Sequence, residues 1–383
     1  MKNKLCEMTG AEFPLFAFSH CRDVVVAVSR AGGFGVLGGS SYTPDRLEEE
    51  LSWIDDHVEG RPYGIDIIIP ENIVRDVREA APDQLTSLIT REQREFVREL
   101  LAQYDVEFDM SAVDILPARG AGYADPYFNE SLLNVAFRHP IRLIANALGL
   151  APPMMIDRAK AAGVPVGALV GSKEHAVRQV GAGVDFVVAQ GTEAGGHCGE
   201  VSTLVLVTEV VKEFERIGAQ IPVLAAGGIA TGRQMAAVMA LGAQGAWTGT
   251  IWLATPESNA SEMAQDIIVN ATSRDTMRAK TTTGKPCRQT KSAWHEAWLA
   301  PGAPPSPPMP LMQFLGQPAM AAVQKSVANG NQRARVLLGA ICGQAIGLID
   351  QPRPSAAIVQ DFKKDFGDAM QNLMVTTEVL EDA

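Results

Sequence analysis

The chain is short of cysteines, of aromatics and of basic side chains, and each shortage removes a class of protein. Cys6, Cys21, Cys198, Cys287 and Cys342 are odd in number, scattered and without a CxxC pair. That argues against a disulfide framework and against a zinc site, and it fits a reducing, cytoplasmic setting. Lys and Arg number 33 against 44 Asp and Glu, for a net charge of -11. Such a balance opposes nucleic acid and anionic membrane surfaces, which both require basic patches, so an anionic ligand must be held locally. No stretch reaches the uncharged length of a membrane span, and MKNKLCEMTGAEFP has no apolar run after its basic residues, so neither a membrane segment nor an export signal is expected. Aromatics are only 6% of the chain, which predicts a core built mostly from aliphatic side chains and alanine.

What is plentiful is apolar residues, 46% of 383, and glycine, 35 in all. The length allows two or three domains, but an α/β barrel with insertions runs equally long as one. Residues 184–199, VDFVVAQGTEAGGHCG, organise the rest. A buried, β-branched run reads as a parallel-sheet strand ending at Gln190, and the glycine-rich loop after it delivers His197 to the rim. Similar apolar runs at 13–18, 34–37, 63–69, 141–148, 164–170, 221–226 and 245–248 alternate with helical spacing. Eight strands with helices between them are the arithmetic of a (β/α)8 barrel, and a doubly wound sheet fits less well. Gly33, Gly35 and Gly38 match GxGxxG, yet the loop GSSYTP follows instead of a helix, so a barrel strand is the better reading than a dinucleotide fingerprint.

The pattern breaks at 71–140, an insertion after strand 3 with an amphipathic helix over 83–104, read as a lid or oligomer contact or, equally, as a packed outer helix. The expected division is a barrel from 1–70 and 141–258, a smaller helical region over 259–330 with a proline-rich connector that covers the substrate, and barrel-closing helices in 331–383, with helical spacing at 333–349. Gly227 and Gly228 follow the seventh strand with a helix from near Thr231, and Gly249 and Thr250 follow the eighth. Backbone N–H groups at such turns approach a phosphate closely, aided by the helix dipole, and paired turns at consecutive strand ends suit a monophosphate such as that of FMN. His197 has the chemistry of a general base that titrates near neutral pH. Cys198 beside it and His20 read as structural, as do Trp294 and Trp298. Lys285, Arg288 and Lys291 either steer an anion or lie on a solvated surface.

QGTEAGGHCG, IPVLAAGGIATGR and AWTGTIWLATPES together resemble the nitronate monooxygenase family of FMN-dependent barrels, related to FMN-dependent enoyl-acyl-carrier-protein reductases. The resemblance implies that His197 stands at the catalytic position, that Gln190 hydrogen-bonds the flavin ring with Gly195 and Gly196 alongside, and that Gly227, Gly228, Trp247, Thr248, Gly249 and Thr250 hold the phosphate. Ala17, Phe18 and Ser19 stand where the family commonly has Ala-Pro-Met, Asp66 where it has an asparagine, and Trp247 where it has a glutamine. Gln344 falls in a family GQ motif whose role the residues do not give. The implied activity is oxidation of an anionic nitronate by O2, with NAD(P)H-dependent reduction of an enoyl thioester or quinone as one rival and a non-catalytic FMN or phosphate binder as another. A homo-oligomer is compatible with either enzyme.

Overall fold

The computed structural model describes residues 3–69, 82–114 and 126–381. Strands β1 (Leu15–Ser19), β2 (Phe34–Gly38), β3 (Tyr63–Asp66), β4 (Ile144–Asn146), β5 (Val166–Val170) and β6 (Phe186–Gln190) run parallel and in order. β7 (Gly196–His197) stands outside, and β8 (Val223–Ala226) and β9 (Ala246–Thr248) return to β1, closing the barrel. This is the (β/α)8 architecture, with eight strands where the sequence placed them. Among the described residues no helix is long and apolar enough to cross a membrane.

Alternation along each strand sorts the side chains into two layers. Leu15, Ala17, Ile65, Val187 and Val223 face outward under the helices, while Phe16, Phe34, Val36, Phe186, Val188, Leu224 and Trp247 fill the barrel. The outer layer is aliphatic as expected, but the interior collects the scarce aromatics. Phe16 packs on Phe34 at 4.9 Å and on Trp247 at 6.3 Å between ring centroids. Gly35 shows why GxGxxG is here a packing device, since a Cβ on it would sit 2.4 Å from the Val25 carbonyl oxygen of the adjacent helix, Arg22–Arg30.

A second core lies apart from the barrel. Val97, Leu100 and Leu101 of the helix Arg91–Ala102 meet Trp294 and Trp298 of Ala293–Leu299 and Leu311, Phe314, Leu315 and Val323 of Leu311–Ala328. Part of the insertion and the region beyond the barrel therefore form one cover, as the 4.6 Å contact between the Phe96 and Trp298 rings illustrates. The rest of the expected lid, residues 71–81 and 115–125, lies outside the described residues. Beside this core, β10 (Thr276–Ala279) and β11 (Cys287–Thr290) form an antiparallel sheet to which β7 adds.

The helix expected over 333–349 does not form. Two short 3-10 turns, Gln332–Leu337 and Gln344–Leu348, flank an extended stretch bonded to Thr290, whose N–H donates to the Ala340 carbonyl at 2.9 Å. Gly339, Gly343 and Gly347 explain it: helix-weakening residues are retained where a Cβ would strike a neighbour, Glu193 O at 2.5 Å in the case of Gly343. The outer helical layer is completed instead by the helix Ser355–Glu381, so close to the helix Gly232–Ala240 that a Cβ on Gly232 would meet Phe362 O at 2.1 Å.

Candidate active site

The loop after β6 is fixed from three sides before it reaches His197. Glu193 is spent on a helix cap, its Oε2 accepting from the N–H and hydroxyl of Thr203, both at 2.9 Å, at the start of Thr203–Ile217. Arg288, nearly buried, donates from Nε to the Thr192 carbonyl at 2.6 Å and from Nη1 to Thr276 Oγ1 at 3.0 Å. Gly195 lies against the Cys342–Gly343 backbone, where a Cβ would be 2.6 Å from the Cys342 carbonyl carbon. The GQ motif thereby acquires a role through its backbone: Gln344 N donates to Glu193 O at 2.8 Å and Gly343 N to Thr250 Oγ1 at 2.8 Å. It ties the loop after β6 to the turn after β9.

Gly196, at φ +76°, turns the chain so that His197 enters β7 opposite Cys287 of β11. The imidazole Nε2 lies 2.9 Å from Thr283 Oγ1, on the turn that joins β10 to β11. His197, Gln190, Lys285, Arg278 and Arg178 line one cavity of about 340 Å³, together with the loop after β4. Burial, reinforced by the Lys285 charge, pushes His197 down to about 4. This corrects the expectation of titration near neutrality: a cationic neighbour and a poorly solvated position both disfavour imidazolium, so the ring is neutral at pH 7. Burial likewise lowers Lys285. Of the three basic residues expected to steer an anion or to be solvated, Lys285 reaches the cavity, Arg288 is a strut and Lys291 is exposed. Cys198 carries a thiol raised by burial and its carbonyl accepts from Arg278 Nε at 3.1 Å, in keeping with a structural part.

The strand register Ala226 to Trp247 brings Gly228 and Gly249, each two residues further on, to adjacent strand ends. Gly227 and Gly228 have φ of +105° and +72°. Gln234 secures this turn, donating to Gly228 O and accepting from Ala230 N, both at 2.8 Å. A Cβ on Gly249 would meet nothing within 4 Å, and the N–H groups of Gly228 and Gly249 donate to no described residue. Two backbone donors at neighbouring turns beside open space fit a single phosphate. The helix dipole contributes less than expected, because the Asp365 carboxylate already accepts from Arg233 N at 2.8 Å in the first turn of Gly232–Ala240.

The remaining candidates divide by direction. Ala17 and Thr248 turn their side chains away from the mouth: Ala17 lies in the outer core, and Thr248 Oγ1 donates to Phe16 O and accepts from Trp252 Nε1 at 3.0 Å. Phe18 and Trp247 stack within the barrel at 6.4 Å, and Ser19 Oγ accepts from Cys21 N. His20 is a rim residue against Phe18, its Nδ1 3.2 Å from Gly38 O. Asp66 faces the interior. Sequence reading missed Asn146, which accepts from Ile69 N at 2.9 Å and donates to Leu150 O, and Gln179, which donates to Gly149 O at 2.8 Å; the two hold the loop that walls the cavity. A polar residue at a strand's carboxyl end was a legible signal for Asn146. Nothing local marks Thr283, which lies 86 residues from His197.

Comparison with known proteins bears on the family and the fold. The nitronate monooxygenase family model matches residues 14–365. A Mycobacterium tuberculosis (strain ATCC 25618 / H37Rv) protein provisionally described as a monooxygenase is 44% identical over 97% of this chain and 98% of its own length. A Staphylococcus aureus (strain Newman) protein described as a probable nitronate monooxygenase is 28% identical over 75% of this chain and 78% of its own. Among solved structures, nitroalkane oxidase from Streptomyces ansochromogenes is similar at 25% identity and a TM-score of 0.76, covering 97% of this chain and 100% of that one. FabK from Thermotoga maritima is similar at 25% identity and a TM-score of 0.69, covering 98% of this chain and 99% of that one.

Proposed function

The chain belongs to the nitronate monooxygenase family, and from that premise we propose that it is an FMN-dependent oxidoreductase that converts an anionic alkyl nitronate and O2 to a carbonyl compound and nitrite. The carrying observation is the single cavity in which a neutral imidazole, His197, and a half-buried ammonium, Lys285, stand beside Gln190 at the barrel mouth. The flavin, when bound, supplies the electron acceptor. Gly228 and Gly249 would hold its phosphate through their N–H groups, with Gly227, Trp247, Thr248 and Thr250 shaping the turns. Gln190, Gly195 and Gly196 would border the ring from the β6 side, and Phe18, Ser19, Asp66 and the backbone of Ala17 from the β1 and β3 side.

Lys285 supplies the charge that compensates the substrate anion, an interaction strengthened by partial exclusion of water. His197 is in its proton-accepting form throughout the neutral range. At about 4 it is nevertheless a weak base, and general-base catalysis is most effective when the pKa lies near the working pH. This favours a preformed nitronate over a neutral nitroalkane as the substrate, with His197 orienting the anion by hydrogen bonding.

The second reading, NAD(P)H-dependent reduction of an enoyl thioester or quinone, draws on the likeness to FabK and on Arg178, His175 and Arg278 around the same cavity. Anaerobic mixing of the oxidised, flavin-loaded protein with a nitronate, NADH or NADPH separates the two. Bleaching by the nitronate alone supports the oxidase chemistry. Bleaching by a nicotinamide and not by the nitronate would replace it with the second reading.

A further inference from the structure

β3 ends on a carboxyl group that no described residue neutralises. Tyr63, Ile65 and Ile67 belong to the outer core, so alternation turns Gly64 and Asp66 into the barrel beside Phe34, Val36, Leu143 and Ala145. Asp66 is 2% exposed, and its Oδ2 has no hydrogen-bond partner. Its registered neighbours are Gly38 on β2 and Ala145 on β4. The residues that continue those strands are Gly39 and Ser40 on one side and Asn146 on the other, all uncharged. Ser40 Oγ and Asn146 Oδ1 accept from the N–H groups of Ile68 and Ile69, and the Asn146 amide donates to the Ile69, Gly149 and Leu150 carbonyls. Across β1 the one titratable group on these faces, among the described residues, is His20, whose ring covers Gly38 and bonds its carbonyl. No described cation contributes to the environment of Asp66.

An isolated carboxylate in such a place costs far more than the protonated acid, because burial penalises the charge and spares the neutral form. We infer that Asp66 is carried as a neutral carboxylic acid and that its O–H is the hydrogen-bond donor offered to the flavin from the β3 side of the barrel. The inference rests on the reading of the barrel mouth as a flavin site. It assigns Asp66 a task that an asparagine amide performs without a titratable proton, and it makes that task dependent on pH. Burial pushes Asp66 up to about 8, so the donor is present at neutral pH, is lost as the pH rises past that value, and is then replaced by a charge that repels electron density gained by the flavin.

The test compares flavin-loaded wild-type protein with Asp66→Asn, which keeps a donor without the proton, and Asp66→Leu, which keeps neither. The wild-type-minus-Asn infrared difference spectrum is expected to show a free-acid C=O band at neutral pH that disappears with a midpoint near 8. Flavin affinity should weaken above that pH in the wild type and stay level in Asp66→Asn. Asp66→Leu should bind flavin about tenfold more weakly at neutral pH, the size of one net hydrogen bond. Circular dichroism checks both folds, and the Asn comparison stands alone if the Leu variant misfolds. A carboxylate band at neutral pH, or parallel pH profiles for wild type and Asn, overturns the inference. Protein that binds no FMN at all refutes the flavin reading instead and removes the donor role, whereas the infrared band still reports the state of Asp66.

Discussion

The barrel and its cover hold together by different means, and the candidate active site lies on the seam between them. Barrel contacts join strands consecutive or nearly so in sequence, and their register alone aligns Gly228 with Gly249. The cover joins distant segments: Gln93 donates to Pro305 O at 2.8 Å across 212 residues, and its core mixes Val97 and Leu101 with Trp298 and Phe314. The barrel contributes Gln190 and the glycine turns, which suit a cofactor used unchanged in every turnover. The cover contributes Thr283 and Lys285, which suit a substrate that differs from enzyme to enzyme. His197 belongs to both, carried on a barrel loop and paired into the cover's sheet.

If that division is right, damage to each region should produce its own kind of loss. The largest is expected at the seam. His197→Ala should reduce kcat/KM for a nitronate about tenfold, the size of one hydrogen bond to the anion. The loss on the matching neutral nitroalkane should be no larger, because an imidazole held at about 4 is a weak base. A loss of about 100-fold or more confined to the nitroalkane would make His197 a general base instead, and no loss on either would remove it from the site.

A somewhat smaller effect, confined to the barrel, is expected from Gly249→Val. Its φ of -132° imposes no strain on a side chain, and the added Cβ enters the open space assigned to the phosphate. Flavin content should fall while circular dichroism and the melting temperature hold. Gly228→Val should lose flavin as well, with a further stability cost of order 1–2 kcal/mol from its left-handed φ of +72°. Unchanged flavin retention in both variants would place the phosphate elsewhere.

The smallest of the three is a pH effect that the cover imposes. With His197 lowered to about 4, the active neutral form is present above that value and is lost as pH falls through it. kcat/KM for a nitronate should therefore be level between about pH 5 and 7 and decline only below. A decline centred near 6.5, the unperturbed value, would mean that Lys285 and burial do not act on the imidazole as described.

The same division explains what the sequence discloses. All eight barrel strands are legible because each is a short β-branched or apolar run bounded by turn residues, and Gln190, His197 and the glycine turns follow from lying at strand ends. The cover is illegible because its core depends on partners hundreds of residues apart, with no local periodicity to announce them. Residues 333–349 carry helical spacing that is overruled by glycines kept for close approach, and Gln344 acts through a backbone N–H that no side-chain pattern reveals. The lowered pKa of His197 is hidden for the same reason, since the burial that chiefly causes it and the Lys285 charge that adds to it both come from the sheet and turn of β10 and β11.

Lys285→Met tests the division most directly, because it removes the charge from the cover's side of the cavity while keeping most of the side chain's bulk. The measurement is KM for a nitronate together with flavin content in the same preparation. The account predicts flavin content equal to wild type and a KM raised about tenfold or more, the value of one charge-assisted contact. An unchanged KM, or a loss of flavin in step with activity, would contradict the assignment of cofactor to barrel and substrate anion to cover.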